Sequence, residues 1–363
     1  MKRRSFNSAV VAGLGAPALI GLSTPARSQA RKPTTIRIAF SNAGTGGRPM
    51  SSGTYAANAA LLGDIEKEFA ADGIKIEYKY FIGAGPATNE NFANGLIDFA
   101  FSHGDLPVLV GRSTGLKHKV ILSNSRLGDV YLVGPASSNA KSVADLKGKT
   151  LSVQKGTATQ LQLYRVLNKY GFSDPEKDFR IISQIRDDQR ASLATGNIAG
   201  CLDTPFGLEA RGVAKRIVEV FDDPLISSPG TIWVGEAFEQ AYPDIVQRVV
   251  TALVKRAHWS TLEANRETQY QLWTRSGRNT YIDNKQEWGR VKDLRTRINP
   301  LLDDYYVGGL VKAIEEAKKY RLLRRDVKLD GWIERKYLNH ALAELKLETY
   351  WPTQDANGKF IRT

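Results

Sequence analysis

The sequence predicts an α/β fold, and three observations carry that reading. Short β-branched or alternating segments are followed by helix-period segments at roughly 25–40-residue spacing, the pattern of strand–helix units on a sheet. Each such strand ends in glycine, a hydroxyl or another small residue, where open α/β sheets take their ligands. Finally, one stretch, Val143 to Leu167, condenses the pattern. It offers a short helical turn, a Lys147-Gly148 turn, a strand over Thr150–Val153, a turn at Gly156 and an amphipathic helix carrying Leu161, Leu163, Val166 and Leu167. Thr157 and Thr159 are residue types that cap helix N-termini. A helix that starts directly after a strand and a glycine presents free backbone N–H groups, a site for an anion or polar ligand. A plain turn with a plain cap has the same local signature.

The other elements follow in order. Thr35–Phe40 alternates and is β-branched, a first strand. The loop Ser41–Thr54 holds Gly44, Gly46, Gly47 and Gly53, but neither a P-loop nor a GxGxxG pattern completes it. Tyr55–Ala70 reads as a helix ending near Gly73, and Ile74–Phe81 as a second strand. Pro86 suits the first turn of a helix over Ala87–Asn94. Gly95–Ser102 turns into a buried strand, closed by His103-Gly104-Asp105-Leu106-Pro107. Further strands are expected at Val120–Ser123, Val130–Val133, Phe179–Ile185, Gly196–Leu202, Ile217–Phe221 and Thr231–Val234. Arg186-Asp187-Asp188 reads as a loop, with Asp188 capping a helix over Gln189–Thr195. Pro243 to Leu347 reads as mainly helical, with Pro243 at a first-turn position and Val246, Val249, Val250, Leu253 and Val254 at helical spacing. Trp259, Trp273 and Trp288 read as packing residues. The polar tail after Trp351 is expected to be poorly ordered.

With 42% hydrophobic and 25% charged residues in 363, the chain has the composition of a globular protein of one large or two smaller domains. Its net charge of +13 is interleaved with acids rather than gathered in blocks, which argues against nucleic acid as a partner. The single cysteine, Cys201, excludes an intramolecular disulfide. At the amino end Lys2-Arg3-Arg4-Ser5-Phe6-Asn7 is a twin-arginine pattern. A glycine- and alanine-rich apolar run follows over Ala9–Leu22, and Ser28-Gln29-Ala30 is a small-residue exit. The run is too short for a membrane span, and no lipobox cysteine follows it. A signal peptide over residues 1–30, cut near Ala30, and a periplasmic mature protein are therefore expected.

Several runs carry a family resemblance in the correct order. They are Phe81 to Gly85-Pro86, then Gly95-Leu96-Ile97-Asp98-Phe99, then Gly104-Asp105-Leu106-Pro107. Asp145-Leu146-Lys147-Gly148-Lys149 and Lys155-Gly156-Thr157-Ala158 follow them. From about Ile36 to Pro205 the chain resembles the periplasmic substrate-binding proteins of the nitrate, taurine and aliphatic-sulfonate uptake family, with a looser helical match beyond. The resemblance implies a two-lobed type II periplasmic-binding-protein fold, each lobe a mixed sheet flanked by helices, hinged and closing on a ligand. Lobe 1 would be residues 31–127 and 229–363, and lobe 2 residues 128–228. It implies a monomeric receptor that hands a small organic anion to the membrane permease of an ABC importer. A sulfonate or taurine-like solute is the first choice, with no cofactor and no metal.

Residue by residue, the resemblance places Ser41, Asn42, Gly85, Pro86, Ser102, His103 and Asp105 at the site from the first lobe. From the second it places Gly156, Thr157, Ala158 and Asp203. Thr157 and the Gly156–Ala158 N–H groups would hold an anion oxygen, Pro86 and the glycines would shape the pocket, and His103 would give a directional hydrogen bond or serve the structure alone. Two departures stand out. Ala199 or Gly200 stands where the family has an acid, and Asp203 where it has an aromatic. An exposed Asp203 carboxylate would repel a simple inorganic anion, or bind an amine or hydroxyl. The loop Ala43–Thr54 is also longer than expected.

The alternative is an enzyme on the same fold, acting on a small heterocycle or ester. Ser102, His103 and Asp105 are triad residue types, but neighbours along a strand point to opposite faces and cannot form a relay. His103, His118, His258 and His340 lack metal-binding spacing, and no serine lies in GxSxG. A third reading, a basic-surface binding protein, predicts strong salt dependence and no small-molecule response.

Overall fold

The computed structural model describes residues 32–362, so the expected signal peptide lies outside the described residues. The strands of the two main sheets, in chain order, are β1 (Thr35–Phe40), β2 (Lys75–Tyr80), β3 (Phe99–His103), β4 (His118–Ser125), β5 (Val130–Pro135), β6 (Thr150–Val153), β7 (Arg180–Ser183), β8 (Gly200–Leu202), β9 (Ala214–Val220) and β10 (Gly230–Gly235). They form two five-stranded sheets, ordered β2-β1-β3-β10-β4 and β7-β6-β8-β5-β9. In the first, β1 pairs parallel with β2 and β3, while β10 runs antiparallel to β3 and β4. The second repeats the plan, with β6 parallel to β7 and β8, and β5 antiparallel to β8 and β9. The antiparallel insert in each sheet is the strand that arrives from the other sheet: β5 follows β4, and β10 follows β9. The chain therefore crosses between the sheets twice.

Helices after the parallel strands cover the sheet faces. Leu161, Leu163, Val166 and Leu167 of the helix Ala158–Lys169 are fully buried, each removal from water contributing about 1.5–3 kcal/mol. The long helix Pro243–Thr261 has its proline at the first turn and buries Val246, Val249, Val250, Leu253 and Val254. Trp273 is buried and donates its indole N–H to Asn58 Oδ1 at 2.7 Å, with Trp288 against it. Among the described residues, no helix is long and apolar enough to cross a membrane.

Three local expectations are corrected. The helix read over Tyr55–Ala70 is broken at Gly63, whose φ of 70° no β-carbon tolerates well, into Tyr55–Leu62 and Asp64–Phe69. Asp188 caps nothing: the helix already starts at Arg186, with Ile185 at its N-cap, because the backbone turns helical at the end of β7's connection. The tail is structured, since Thr353–Gln354 pairs with Phe360–Arg362 and the buried Gln354 accepts from Arg126 Nη1 at 3.2 Å.

Candidate functional site

The carboxyl ends of β1, β3, β6 and β8 converge on one cleft of about 410 Å³ between the sheets. Ser41, Asn42, Gly85, Ser102 and His103 line it from the first sheet, and Thr157, Ala158 and Asp203 from the second. Pro86, Asp105 and Gly156 stand behind the lining. Pro86 packs its ring against the Gly156 backbone, where a β-carbon would meet Pro86 Cγ at 3.1 Å. Asp105 is buried in an ion pair with Arg165 at 2.9 Å and accepts the Ser228 hydroxyl at 2.9 Å. Arg165 goes on to bond Glu316 and Ser228, so this buried cluster ties the helix Ala158–Lys169 to the first sheet's side.

His103 is set by its neighbours. Trp233 Nε1 donates to His103 Nδ1 at 2.7 Å, and an indole nitrogen can only donate. Nδ1 therefore carries no proton, and the neutral ring bears its N–H at Nε2. Burial pushes the His103 pKa down to about 3. Nε2 lies against Gly85, where a β-carbon would sit 3.1 Å from it and 2.3 Å from Pro107 Cβ, so only glycine fits. Among the described residues Nε2 faces only the Gly85 backbone, without a hydrogen bond of good geometry, and Asn42 Oδ1 and Asn124 Oδ1, both on cleft-lining residues, have no partner. The site thus presents a neutral donor and amide oxygens. Ser102 Oγ accepts from Asn42 Nδ2 at 3.2 Å, and Ser41 Oγ shares a hydrogen bond with Thr88 Oγ1 at 2.8 Å.

Thr157 is the N-cap of its helix by position, but its hydroxyl does not cap. It donates to Gln154 O at 2.6 Å and meets Thr159 Oγ1 at 2.7 Å. Gly156, at φ 80°, gives its N–H to Gln160 Oε1 at 2.7 Å. What this helix end offers a ligand is therefore the N–H groups of Ala158 and Thr159, since that of Gln160 already bonds Thr157 O at 3.0 Å, with the helix dipole behind them. The halves touch here, since a β-carbon on Gly104 would lie 2.4 Å from Ala158 Cβ.

Asp203 is not the exposed carboxylate expected. Its side chain is fully buried and ion-paired to Arg186 and to Arg190, the latter at 2.6 Å. Burial alone would raise this carboxyl, but the two guanidiniums outweigh it and hold the pKa at about 2. The sequence reading missed Arg186 and Arg278, both of which line the cleft. Arg186 sits in the first turn of the helix Arg186–Ala194, whose start reads as a loop in the sequence. Arg278 belongs to a turn in the carboxyl-terminal helical region that no local pattern marks. Its Nη1 donates to Ala43 O at 3.2 Å, and burial with the like charge of Arg186 pushes its pKa down to about 9. The glycine-rich loop also gains a place: Ala43, Gly44, Thr45 and Gly47 wall the cleft, and Gly46 N–H reaches Asp187 Oδ2 across it at 2.9 Å.

Among the described residues, no group of three or more histidine, cysteine, aspartate or glutamate side chains could hold a metal ion. Cys201 is buried outside the lining, its thiol pushed up by burial and by the Asp203 charge.

Comparison with known proteins follows the same geometry. Residues 65–262 match the family model described as NMT1/THI5 like. No curated protein sequence matches the chain. A periplasmic sulfonate-binding protein SsuA from Methylobacillus flagellatus KT is similar at 30% identity over 88% of this chain and 97% of that one, with a TM-score of 0.73. The alkanesulfonate-binding protein SsuA from Xanthomonas axonopodis pv. citri, bound to MOPS, shares the fold at 21% identity over 84% and 100% of the chains, TM-score 0.69. So does the desulfurization enzyme DSZB, at 16% identity over 85% and 99%, TM-score 0.60.

Proposed function

The chain belongs to the NMT1/THI5-like family, and from that premise we propose that it is the periplasmic solute receptor of an ABC importer, taking a small organic anion, a sulfonate first, into the cleft. The observation that carries this is the composition of the cleft. Donors from both sheets, the His103 Nε2–H, the helix N-terminus at Ala158 and the guanidiniums of Arg186 and Arg278, of which His103 Nε2 and Arg186 Nε make no hydrogen bond, belong to residues lining one space whose two walls are joined by two crossovers. Donors in excess of their internal acceptors suit an anion that supplies more. The sulfonate-binding relative at 30% identity supports the solute class.

In this reading residues 31–127 with 229–363 form one lobe and 128–228 the other, closing on the solute and presenting it to a membrane permease. The fold also houses a desulfurization enzyme, but the cleft gives chemistry little to work with. His103 Nδ1 is occupied by Trp233, and Cys201 is buried elsewhere. A thermal-shift screen of the purified protein against sulfonates, sulfate esters, nitrate and carboxylates at two salt concentrations tests the proposal. A ligand at about a thousand times its Kd adds roughly 4 kcal/mol, several degrees of melting temperature. A salt-resistant shift with sulfonates, and no product formed, is the expected result. Turnover of a sulfonate or sulfinate, or no shift with any anion, would overturn it.

A further inference from the structure

The carboxylate and guanidinium residues that line the cleft are Asp129, Arg186, Asp187, Asp203 and Arg278. Their partners are unevenly distributed. Asp203 holds Arg186 and Arg190, and Asp129 holds Arg290 and Arg297 at 2.6 and 2.5 Å. Asp187 accepts the Gly46 N–H. Arg278 has no carboxylate within ion-pair distance among the described residues; its side chain gives one bond to a neutral carbonyl, Ala43 O. Next to it, Arg186 keeps a buried Nε–H without a partner, while its Nη2 is spent on Asp203 and Asn279. A guanidinium taken partly out of water without a counter-charge is costly, and a bound anion removes that cost.

The neutral donors stand apart from this charged corner in kind. His103 Nε2–H and the Ala158 helix end suit one anionic head without using a formal charge. A solute with a single sulfonate satisfies one set and leaves the other open. We propose that the solute carries two anionic groups, one held by the His103 and Ala158 N–H donors and the second by the Arg278 guanidinium with Arg186 Nε–H beside it. This rests on the receptor reading and narrows it. It also disfavours a solute with an ammonium group. Asp203 and Asp129 each already serve two guanidiniums and Asp187 is engaged by the Gly46 N–H, so an amine at this end gains no unshared carboxylate and meets the Arg278 charge.

Three probes with the same two-carbon spacer and sulfonate head test this by calorimetry: 3-sulfopropanoate, propanesulfonate and taurine, whose far ends are carboxylate, methyl and ammonium. The expected order is 3-sulfopropanoate at least about tenfold tighter than propanesulfonate, and taurine weakest, since a charge-assisted bidentate contact is gained in the first and a like charge met in the last. In Arg278→Gln the carboxylate preference should fall below about threefold, and Arg278→Lys should keep part of it, because a point charge remains without the fork. The wild-type order and the lysine variant decide the matter even if the glutamine variant does not fold. Propanesulfonate binding as tightly as 3-sulfopropanoate, or a preference that survives Arg278→Gln, overturns the inference and leaves the receptor standing. If none of the three binds, the inference falls, and the wider anion screen decides the receptor reading on its own.

Discussion

Trp233 Nε1 donates to His103 Nδ1 at 2.7 Å, and that bond fixes which proton His103 shows the cleft. The ring is neutral with its N–H at Nε2, and burial holds its pKa at about 3. Solute affinity should therefore be flat from pH 5 to 8, because nothing on His103 titrates there. Stability runs the other way: as pH falls from 6.5 towards 3 the unfolded chain takes up a proton that the folded chain refuses, so folding weakens over that window. Trp233→Phe removes the donor and leaves Nδ1 buried without a partner, costing about 1–3 kcal/mol of stability and loosening the tautomer. A ¹⁵N spectrum with Nε2 protonated in the wild-type protein, and an affinity without a step near pH 6.5, are the checks.

Thr157 invites a different expectation from the one its sequence position suggests. Its hydroxyl proton goes to Gln154 O at 2.6 Å, so it holds the turn and donates nothing to a solute. Thr157→Val should cost about 1 kcal/mol of stability through the lost bond. Thr157→Ser should restore that loss, since it keeps the hydroxyl. Solute affinity should drop less than tenfold in the valine variant, because the helix N–H groups remain. A loss of a hundredfold or more, measured by calorimetry, would return the hydroxyl to the solute.

Local chemistry made the sheets legible and long-range chemistry hid the site's electrostatics. Thr35–Phe40 and Thr150–Val153 are strands as read because β-branched runs bounded by turns have few alternatives. Their carboxyl ends then locate the cleft, since parallel strands fed by helices leave it there. His103 was legible as a polar residue at a strand end, but its tautomer is set by a tryptophan 130 residues away. Asp203 looked like an open carboxylate because its two arginines lie on a helix whose start, Arg186-Asp187-Asp188, resembles a loop. Arg278 comes from a turn among helices, and only the fold brings it to the cleft.

The pairing of Asp203 with Arg186 and Arg190 gives a pH signature. Its folded pKa of about 2 lies below the ordinary 3.8, so the cluster stabilises the fold above that value and loses its contribution as pH falls from about 3.8 towards 2. Asp203→Asn keeps the shape and removes the charge, leaving three guanidiniums crowded at one end of the cleft. The expected cost is about 3–5 kcal/mol at pH 7, as for breaking a buried pair, and the acid window should vanish. Urea melts of both proteins at pH 7 and pH 3 measure this. Equal stability at pH 7 would show that the arginines relax into solvent.

Gly104 and Ala158 mark where the two halves of the cleft touch, and the contact is steric alone. Gly104 has an ordinary φ of −79°, so alanine there is not strained in itself. Its β-carbon would lie 2.4 Å from Ala158 Cβ but 3.5 Å from the Ala158 Cα and N. Gly104→Ala should therefore hold the walls apart and weaken solute binding by at least about tenfold, the usual cost of a misplaced wall. Ala158→Gly in the same chain removes the one offending atom and should restore most of that loss, so the two changes are strongly non-additive. Calorimetry on both single variants and the double variant closes the cycle. Additive losses would mean that the contact is not what limits closure, and that glycine at 104 serves the helix start instead.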